Sequence, residues 1–337
     1  MPETPQADTV PETAPMQIEG QSLVIASPIS IPEASFSVPA VRAMRSAKPE
    51  TTLVIVATEE VAPIWRKVAN VDQIIVYQSS DSPRKVARLL SGSGHSFDSA
   101  IAWDENPAAL AFARINVRQR LGYPAGKLAK HLTDPVQVVR KIGPVEHQVK
   151  HYLLFVQALG IDPFQPANFE VPPRPPVGEY FRLAIVPGSD FGPAAEWGLP
   201  NFVALYQGLG AGCEVFILPC PGHSGPAKDL ARELGNPGLF KDVEGDELID
   251  LLASCEGLVG NDGSLPHLAA LVGTPSLVLF GPNEPEWKRP LGKIHKILHH
   301  REACSSCLLA KCPLDHRCLT GITVDEALEA LRLLFRS

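Results

Sequence analysis

The sequence predicts an α/β protein made of two successive doubly wound domains. Three observations carry that expectation. Short apolar runs alternate with longer stretches of helical periodicity, a pattern that demands parallel strands joined by crossover helices. The alternation occurs on both sides of a proline-rich stretch, PFQPANFEVPPRPP, running from Pro163 to Pro176. The length, 337 residues, suits two domains at roughly 150 residues each.

Taken in order, residues 1–20 form a tail with four prolines, four acids (Glu3, Asp8, Glu12, Glu19) and no Lys or Arg. So few apolar side chains cannot offset the entropy of ordering, and the tail is expected to be disordered. The first domain is expected over 21–162. Its strands are Leu23-Val24-Ile25-Ala26, Leu53-Val54-Ile55-Val56, Ile74-Ile75-Val76 and Ser99-Ala100-Ile101-Ala102. Helices between them run through Val38, Val41 and Met44, then Val61, Ile64, Trp65 and Val68, then Val86, Leu89 and Leu90. Residues 163–177 read as a stiff, extended linker. The second domain, 178–323, repeats the alternation. Its strands are Leu183–Val186, Val215–Leu218, Gly257–Val259 and Ser276–Phe280. Helices fall at Phe202–Leu209, through Leu230 and Leu234, at Leu248–Cys255 and at Leu265–Val272. A terminal amphipathic helix closes the chain over 324–337. Crossovers in such sheets are right-handed, and ligands bind beyond the carboxyl ends of the strands. With two domains, the cleft between them is the expected site.

Composition narrows the function. The net charge is -7, with 45% hydrophobic and 20% charged residues, ordinary for a globular protein with real cores. Without the acidic tail, 30 basic residues face 33 acidic ones. A near-neutral body argues against a dedicated nucleic-acid binder. No run of 18 apolar residues is present and the N-terminus has neither a basic nor an apolar signal region, so the expected location is the cytoplasm.

The most informative stretch is Gly260-Asn261-Asp262-Gly263-Ser264-Leu265-Pro266-His267-Leu268-Ala269-Ala270, followed by Gly273-Thr274-Pro275 and Phe280-Gly281-Pro282. It reads as strand, tight polar turn, helix, strand, turn. Small residues let backbone amides approach a ligand, Ser264 is the expected N-cap, and Pro266 suits a first helical turn. Uncapped amides and the helix dipole there favour a phosphate; the same pattern also makes an ordinary helix start that binds nothing.

These residues resemble the signature of glycosyltransferase family 9, the ADP-heptose:lipopolysaccharide heptosyltransferases. The family carries Asn-Asp-Ser/Thr-Gly, His-Leu-Ala-Ala, Gly-Thr-Pro and Phe-Gly-Pro-Thr-Asp-Pro. This chain has Asn261-Asp262-Gly263-Ser264, His267-Leu268-Ala269-Ala270, Gly273-Thr274-Pro275 and Phe280-Gly281-Pro282-Asn283-Glu284-Pro285. Weaker likeness extends over residues 21–335, at Arg120-Leu121-Gly122-Tyr123, at His147 with Tyr152-Leu153 and Leu159-Gly160, and at Pro187-Gly188. The resemblance implies the GT-B fold, two Rossmann-like domains facing a cleft, with the nucleotide sugar held mainly by the second. It implies inverting transfer from a nucleotide-activated heptose, ADP-heptose, with no metal or other cofactor in catalysis. The acceptor would be a lipid-linked saccharide of lipopolysaccharide type, met at the cytoplasmic face of the inner membrane through peripheral contact. By resemblance, Asp262, Gly263 and Ser264 would sit at the diphosphate, with His267 just behind; Gly188, and Lys288 after the Phe-Gly-Pro turn, are read as donor-binding beside them.

Inverting transfer needs a base for the acceptor hydroxyl and positive charge or amides for the departing diphosphate. The family keeps an Asp in a Gly-Asp turn after the first strand. The same frame here reads Ile31-Pro32-Glu33-Ala34, so Glu33 takes the base position. Glu33 equally fits an acid that complements a helix dipole. The family also carries a basic pair just before a Trp in the second domain. Here Ala195 and Glu196 precede Trp197, and a carboxylate facing a diphosphate is unfavourable unless it pairs with a base. Lys288, Arg289 and Lys293 could restore the charge, or belong to a solvated loop.

Of seven cysteines, Cys304, Cys307, Cys312 and Cys318 cluster near the C-terminus. Four thiols at this spacing could close tetrahedrally on a structural Zn²⁺, with His316 as a substitute ligand, or remain reduced in a compact loop. No Asp-x-Asp motif suggests a catalytic ion. The expected function is therefore glycosyl transfer. The alternative is a non-catalytic GT-B relative that binds nucleotide or glycan, having lost the basic pair. A nicotinamide dehydrogenase is disfavoured, because Pro28 and Pro32 stand where a Gly-x-Gly-x-x-Gly would follow the first strand.

Overall fold

The computed structural model describes residues 16–68, 70–138, 143–173, 180–210 and 212–336. Most of the acidic tail (1–15) and residues 174–179, the end of the expected linker and the first two residues of the expected second domain, lie outside the described residues. The chain divides into two units, Met1–Glu170 and Val171–Ser337, a boundary inside the proline-rich stretch.

The first unit runs β1 (Ser22–Ala26), α1 (Ile31–Ala47), β2 (Thr52–Thr58), α2 (Ala62–Val68), β3 (Gln73–Tyr77), α3 (Pro83–Gly92), β4 (Phe97–Ala102), α4 (Pro107–Ala111), β5 (Val117–Gly122), β6 (Asp134–Pro135) and α5 (Val149–Ala158). Its six strands are parallel, in the order β3-β2-β1-β4-β5-β6. Leu23–Ala26 of β1, Leu53–Ala57 of β2 and Ala100–Ala102 of β4 are apolar and buried because both faces are covered, as parallel sheets require. One core cluster gathers Val24, Val54, Val56, Tyr77, Val86, Leu90, Ala100 and Phe112. Helix α1 buries almost every side chain from Ala34 to Val41, which explains its weak helical periodicity: it is enclosed rather than amphipathic.

The second unit runs β7 (Phe181–Val186), α6 (Leu199–Gln207), β8 (Cys213–Ile217), α7 (Gly225–Glu233), α8 (Gly245–Ser254), β9 (Gly257–Asn261), α9 (Ser264–Leu271), β10 (Ser276–Phe280), α10 (Pro285–Lys288), β11 (Lys296–His299), α11 (Arg317–Thr320) and α12 (Val324–Arg336). Its five strands are also parallel, ordered β11-β10-β9-β7-β8. Leu183, Ile185, Phe202, Val259, Leu277 and Leu279 form its core, and Ala327, Ala330 and Leu331 of α12 belong to the same cluster. The terminal helix is thus an integral part of this unit. Among the described residues no helix is long and apolar enough to cross a membrane.

Three strands escape the sequence reading. β5 carries Arg118, Gln119 and Arg120 in its middle, so its apolar signal is broken. Gln119 is buried nonetheless, because it binds Ser99 Oγ at 2.7 Å and the Glu19 amide at 3.0 Å. β11 is a half-buried edge strand, and β6 is two residues long.

Candidate functional site

In the second unit, the loop after β7 and the turn after β9 meet at the carboxyl ends of adjacent strands. Asn261 joins them. Its Nδ2 donates to Pro187 O at 2.7 Å and, at the long limit of 3.5 Å, to Gly188 O; its Oδ1 accepts from the Trp197 amide at 2.9 Å. Gly260 has to be glycine, since a Cβ there would lie 2.7 Å from Val186 Cβ. Ser189 Oγ adds a bond to Asp262 O at 2.5 Å. The turn is therefore rigid before any ligand arrives.

The helix start differs from the expectation. Gly263 occupies the N-cap and Ser264 is the first helical residue. The capping oxygen comes from outside the motif: Asp190 Oδ1 accepts from the Ser264 amide at 2.9 Å, and Asp190 Oδ2 accepts from the Ser264 hydroxyl. The amide expected to await a phosphate is thus held by a carboxylate. Glycine at 263 makes the approach possible, because a Cβ would stand 2.6 Å from Asp190 Oδ1. Sequence reasoning missed Asp190, which lies four residues past β7 and carries no local motif.

Asp262 is buried, and burial pushes its carboxyl up to about 6; the bond from Asn283 Nδ2 at 2.5 Å and the charge of Lys288 pull it down, while Asp190 pushes it up. Lys288 thus reaches this turn electrostatically, with its ammonium 4.9 Å from the Trp287 ring centroid. Glu196 turns its charge onto His223, with Nε2 and Oε1 2.9 Å apart, and accepts from the Ser189 amide at 3.3 Å. Ala195, which with Glu196 stands where the basic pair was expected, is fully buried. His267 is buried in the first turn of α9. Gly188, Asp262, Gly263 and Ser264 are therefore gathered around one turn, which the charge of Lys288 reaches.

The cysteine loop packs against this region. Leu308 N donates to Pro282 O at 3.0 Å, and Ala194 N donates to Ala310 O at 3.1 Å. Glu284 accepts from Arg301 Nη2 at 2.9 Å and Ser306 Oγ at 2.7 Å. Ser306, Leu308 and His316 have positive φ, a costly backbone for residues with a Cβ. The four cysteines are free thiols. Among the described residues no three His, Cys, Asp or Glu side chains are arranged to hold a metal ion. The thiols do sense one another: burial first, then Cys304, Cys307 and Cys312, push the Cys318 thiol up.

Glu33 belongs to the first unit, in the first turn of α1 behind Ser30, whose side chain makes no capping bond. It is partly exposed and its Oε1 accepts from Gln148 Nε2 at 2.8 Å. It stands at the end of β1, on the edge where α/β sheets carry their sites.

Known proteins resemble this chain in sequence and fold. The family model for glycosyltransferase family 9 (heptosyltransferase) matches residues 93–317. Lipooligosaccharide heptosyltransferase 2 of Haemophilus influenzae is 30% identical over 168 residues, covering 47% of this chain and 48% of that protein. The match thus spans about half the relative's length. Two solved structures superpose over nearly the whole chain. The family 9 glycosyl transferase from Veillonella parvula has a TM-score of 0.77 at 17% identity, covering 96% of this chain and 99% of that one. The E. coli ADP-heptose lps heptosyltransferase II has a TM-score of 0.73 at 18% identity, covering 94% and 98%. At these identities the likeness establishes the two-domain GT-B fold.

Proposed function

This chain belongs to glycosyltransferase family 9, the heptosyltransferases, and on that premise we propose that it transfers a heptose from ADP-heptose to a saccharide acceptor of lipopolysaccharide type, with inversion at the anomeric carbon. The observation that carries the reading is the Asn261–Ser264 turn at the carboxyl end of β9, fixed by Asn261 and Ser189 beside the start of α9. Names of relatives and neighbours point the same way: one relative is a lipooligosaccharide heptosyltransferase, one neighbour an ADP-heptose lps heptosyltransferase.

The reaction is one displacement. Glu33 takes the proton of the acceptor hydroxyl as its oxygen attacks the anomeric carbon, and ADP departs from the opposite face. The carboxylate needs no metal for that task. The departing diphosphate is met by backbone amides at the start of α9 and by Lys288, groups that lie ready before the charge develops. Asp190 must yield the Ser264 amide for this to happen. Gly188 and His267 shape the same turn. The reaction would take place in the cytoplasm, at the inner-membrane face where a lipid-linked acceptor is presented.

The test is transfer itself. Purified protein with ADP-heptose and an O-deacylated lipooligosaccharide should release ADP and add one heptose to the acceptor by mass spectrometry. Glu33→Gln should lower turnover by about 10²-fold or more, the range for losing a positioned base, and leave ADP affinity unchanged. Equal turnover in Glu33→Gln would make Glu33 a helix-start acid. A wild-type chain that binds ADP but transfers nothing would be the non-catalytic relative.

A further inference from the structure

In the first unit, β1 and β4 are neighbours from which the sheet grows in opposite directions, to β2 and β3 on one side and β5 and β6 on the other. Such a switch point opens a crevice at the carboxyl ends of the two strands. The loops that follow the two strands touch, with Asn106 Nδ2 donating to Ser27 O at 3.2 Å. Glu33 stands on the β1 side. Asp104, two residues past β4, stands on the other.

Helix α5 holds both carboxylates. Gln148 donates to Glu33 at 2.8 Å, and His151 Nε2 lies 3.2 Å from Asp104 Oδ1. Residues three apart share one helix face, so this face serves the two acids at once. Tyr152, next to His151 on that face, is fully buried with its ring centroid 5.3 Å from Trp103 and 5.0 Å from His151. Among the described residues, neither the Tyr152 hydroxyl nor Trp103 Nε1 has a hydrogen-bond partner. Burial first, then the charges of Glu33 and Asp104, hold the Tyr152 phenol well above its usual range. The hydroxyl therefore lies within electrostatic reach of both acids. Unpaired buried donors are costly, and each calls for a function.

Two carboxylates accept hydrogen bonds, and neighbouring hydroxyls of a sugar donate the matching pair. The buried phenol and indole lie behind the carboxylates. The side chain of Asp104 is 49% exposed, so a ligand can reach it.

We propose that Asp104, positioned by His151, is a second acceptor-side carboxylate that grips a sugar hydroxyl beside the one facing Glu33, and so selects which hydroxyl is glycosylated. The proposal rests on the saccharide-acceptor reading above. His151 acts through Asp104 and is a positioning residue.

The experiment measures calorimetric binding of an O-deacylated lipooligosaccharide and of ADP to wild type, Asp104→Ala, Asp104→Asn and His151→Gln, with melting temperature as the folding control. Transfer from ADP-heptose is followed on the same proteins. Asp104→Ala should weaken saccharide binding and raise the acceptor KM by about 10- to 100-fold, the span for a lost charge-assisted hydrogen bond. ADP affinity should stay within about twofold. Asp104→Asn, which still accepts one bond, should fall between the two, and His151→Gln, which can still donate to Asp104, should stay near wild type. The sites of linkage in the product should become mixed in Asp104→Ala. Unchanged saccharide binding in both Asp104 variants would overturn the proposal, as would a wild type that binds no saccharide. Asp104-dependent saccharide binding without any transfer would leave this site standing and reject heptosyl transfer instead.

Discussion

Asp262→Asn should change how stability depends on pH, and the structure sets the sign and size. Burial holds the Asp262 carboxyl at about 6 against an ordinary value of 3.8. The folded state therefore keeps a proton that the unfolded state has released between those two values. Stability supplied by that proton is complete below pH 3.8, declines as pH rises, and is lost above about 6. At 1.36 kcal/mol per unit, a shift of about two units costs the ionised protein about 3 kcal/mol. Asn at 262 cannot ionise, and its side-chain oxygen can still accept from Asn283. A constant offset is expected, because the new amide N–H₂ needs a partner. The informative quantity is the stability of Asp262→Asn minus that of wild type, which removes every other titrating group. Urea unfolding at several values between about pH 4 and 7.5 should show this difference rising by up to about 3 kcal/mol, all of it below about pH 6.5. A difference flat to about 0.5 kcal/mol would show that Asp262 ionises freely in the folded turn, and the burial argument would fail.

Other consequences concern the same unit. Asp190→Ala removes the oxygen that holds the Ser264 amide; it should cost about 1 kcal/mol, the usual worth of a helix cap, and tighten ADP binding by calorimetry. Weaker ADP binding in that variant would mean that Asp190 aids the donor rather than competing with it. The cysteine loop is a structural proposal: protein purified without chelator should hold about one equivalent of zinc, the stoichiometry of a four-thiolate site. To close on the ion, Cys304, Cys307, Cys312 and Cys318 must draw together from the arrangement described, so metal-free protein with four freely titrating thiols would reject it.

The fold was legible because buried parallel strands leave a strong mark. Leu23–Ala26, Leu53–Val56 and Ser276–Phe280 are apolar on both faces, and no other structure suits such short runs between long helices. β5 was not legible: Gln119 is polar in sequence and buried in space, and its partners, Ser99 and Glu19, lie far away along the chain. The same reason hid half of the site. Asn261-Asp262-Gly263-Ser264 is one contiguous motif, so the turn could be read directly. Asp190 caps α9 across 74 residues, and His151 meets Asp104 across a helix and two strands. No local pattern foretells such pairs. The start of α4 shows the contrast, since Asn106 before Pro107 is a readable cap, with its Oδ1 accepting from the Ala109 amide at 2.9 Å.

Charge around the Asn261–Ser264 turn decides how a chain without the family's basic pair could still hold a diphosphate. Three carboxylates stand near it, and each is held differently. Glu196 is paired with His223, Asp190 is satisfied by the start of α9, and Asp262 is held toward its neutral form by burial. Lys288 makes no ion pair among the described residues, while the next cation, Arg289, lies 3.7 Å from Glu286. Lys288 is the cation whose charge reaches Asp262, so it is the one placed to meet a phosphate at this turn. Its ammonium lies 4.9 Å from the Trp287 ring centroid, a cation–π contact that limits its freedom. Lys288→Met keeps the stem and removes the charge. It should weaken ADP binding by about tenfold, close to 1.4 kcal/mol for a partly exposed contact, and the loss should shrink at high salt. AMP, with one phosphate fewer, should lose less than ADP. Equal affinity of wild type and Lys288→Met for ADP at low salt would remove Lys288 from the donor site and leave the helix amides to hold the diphosphate alone.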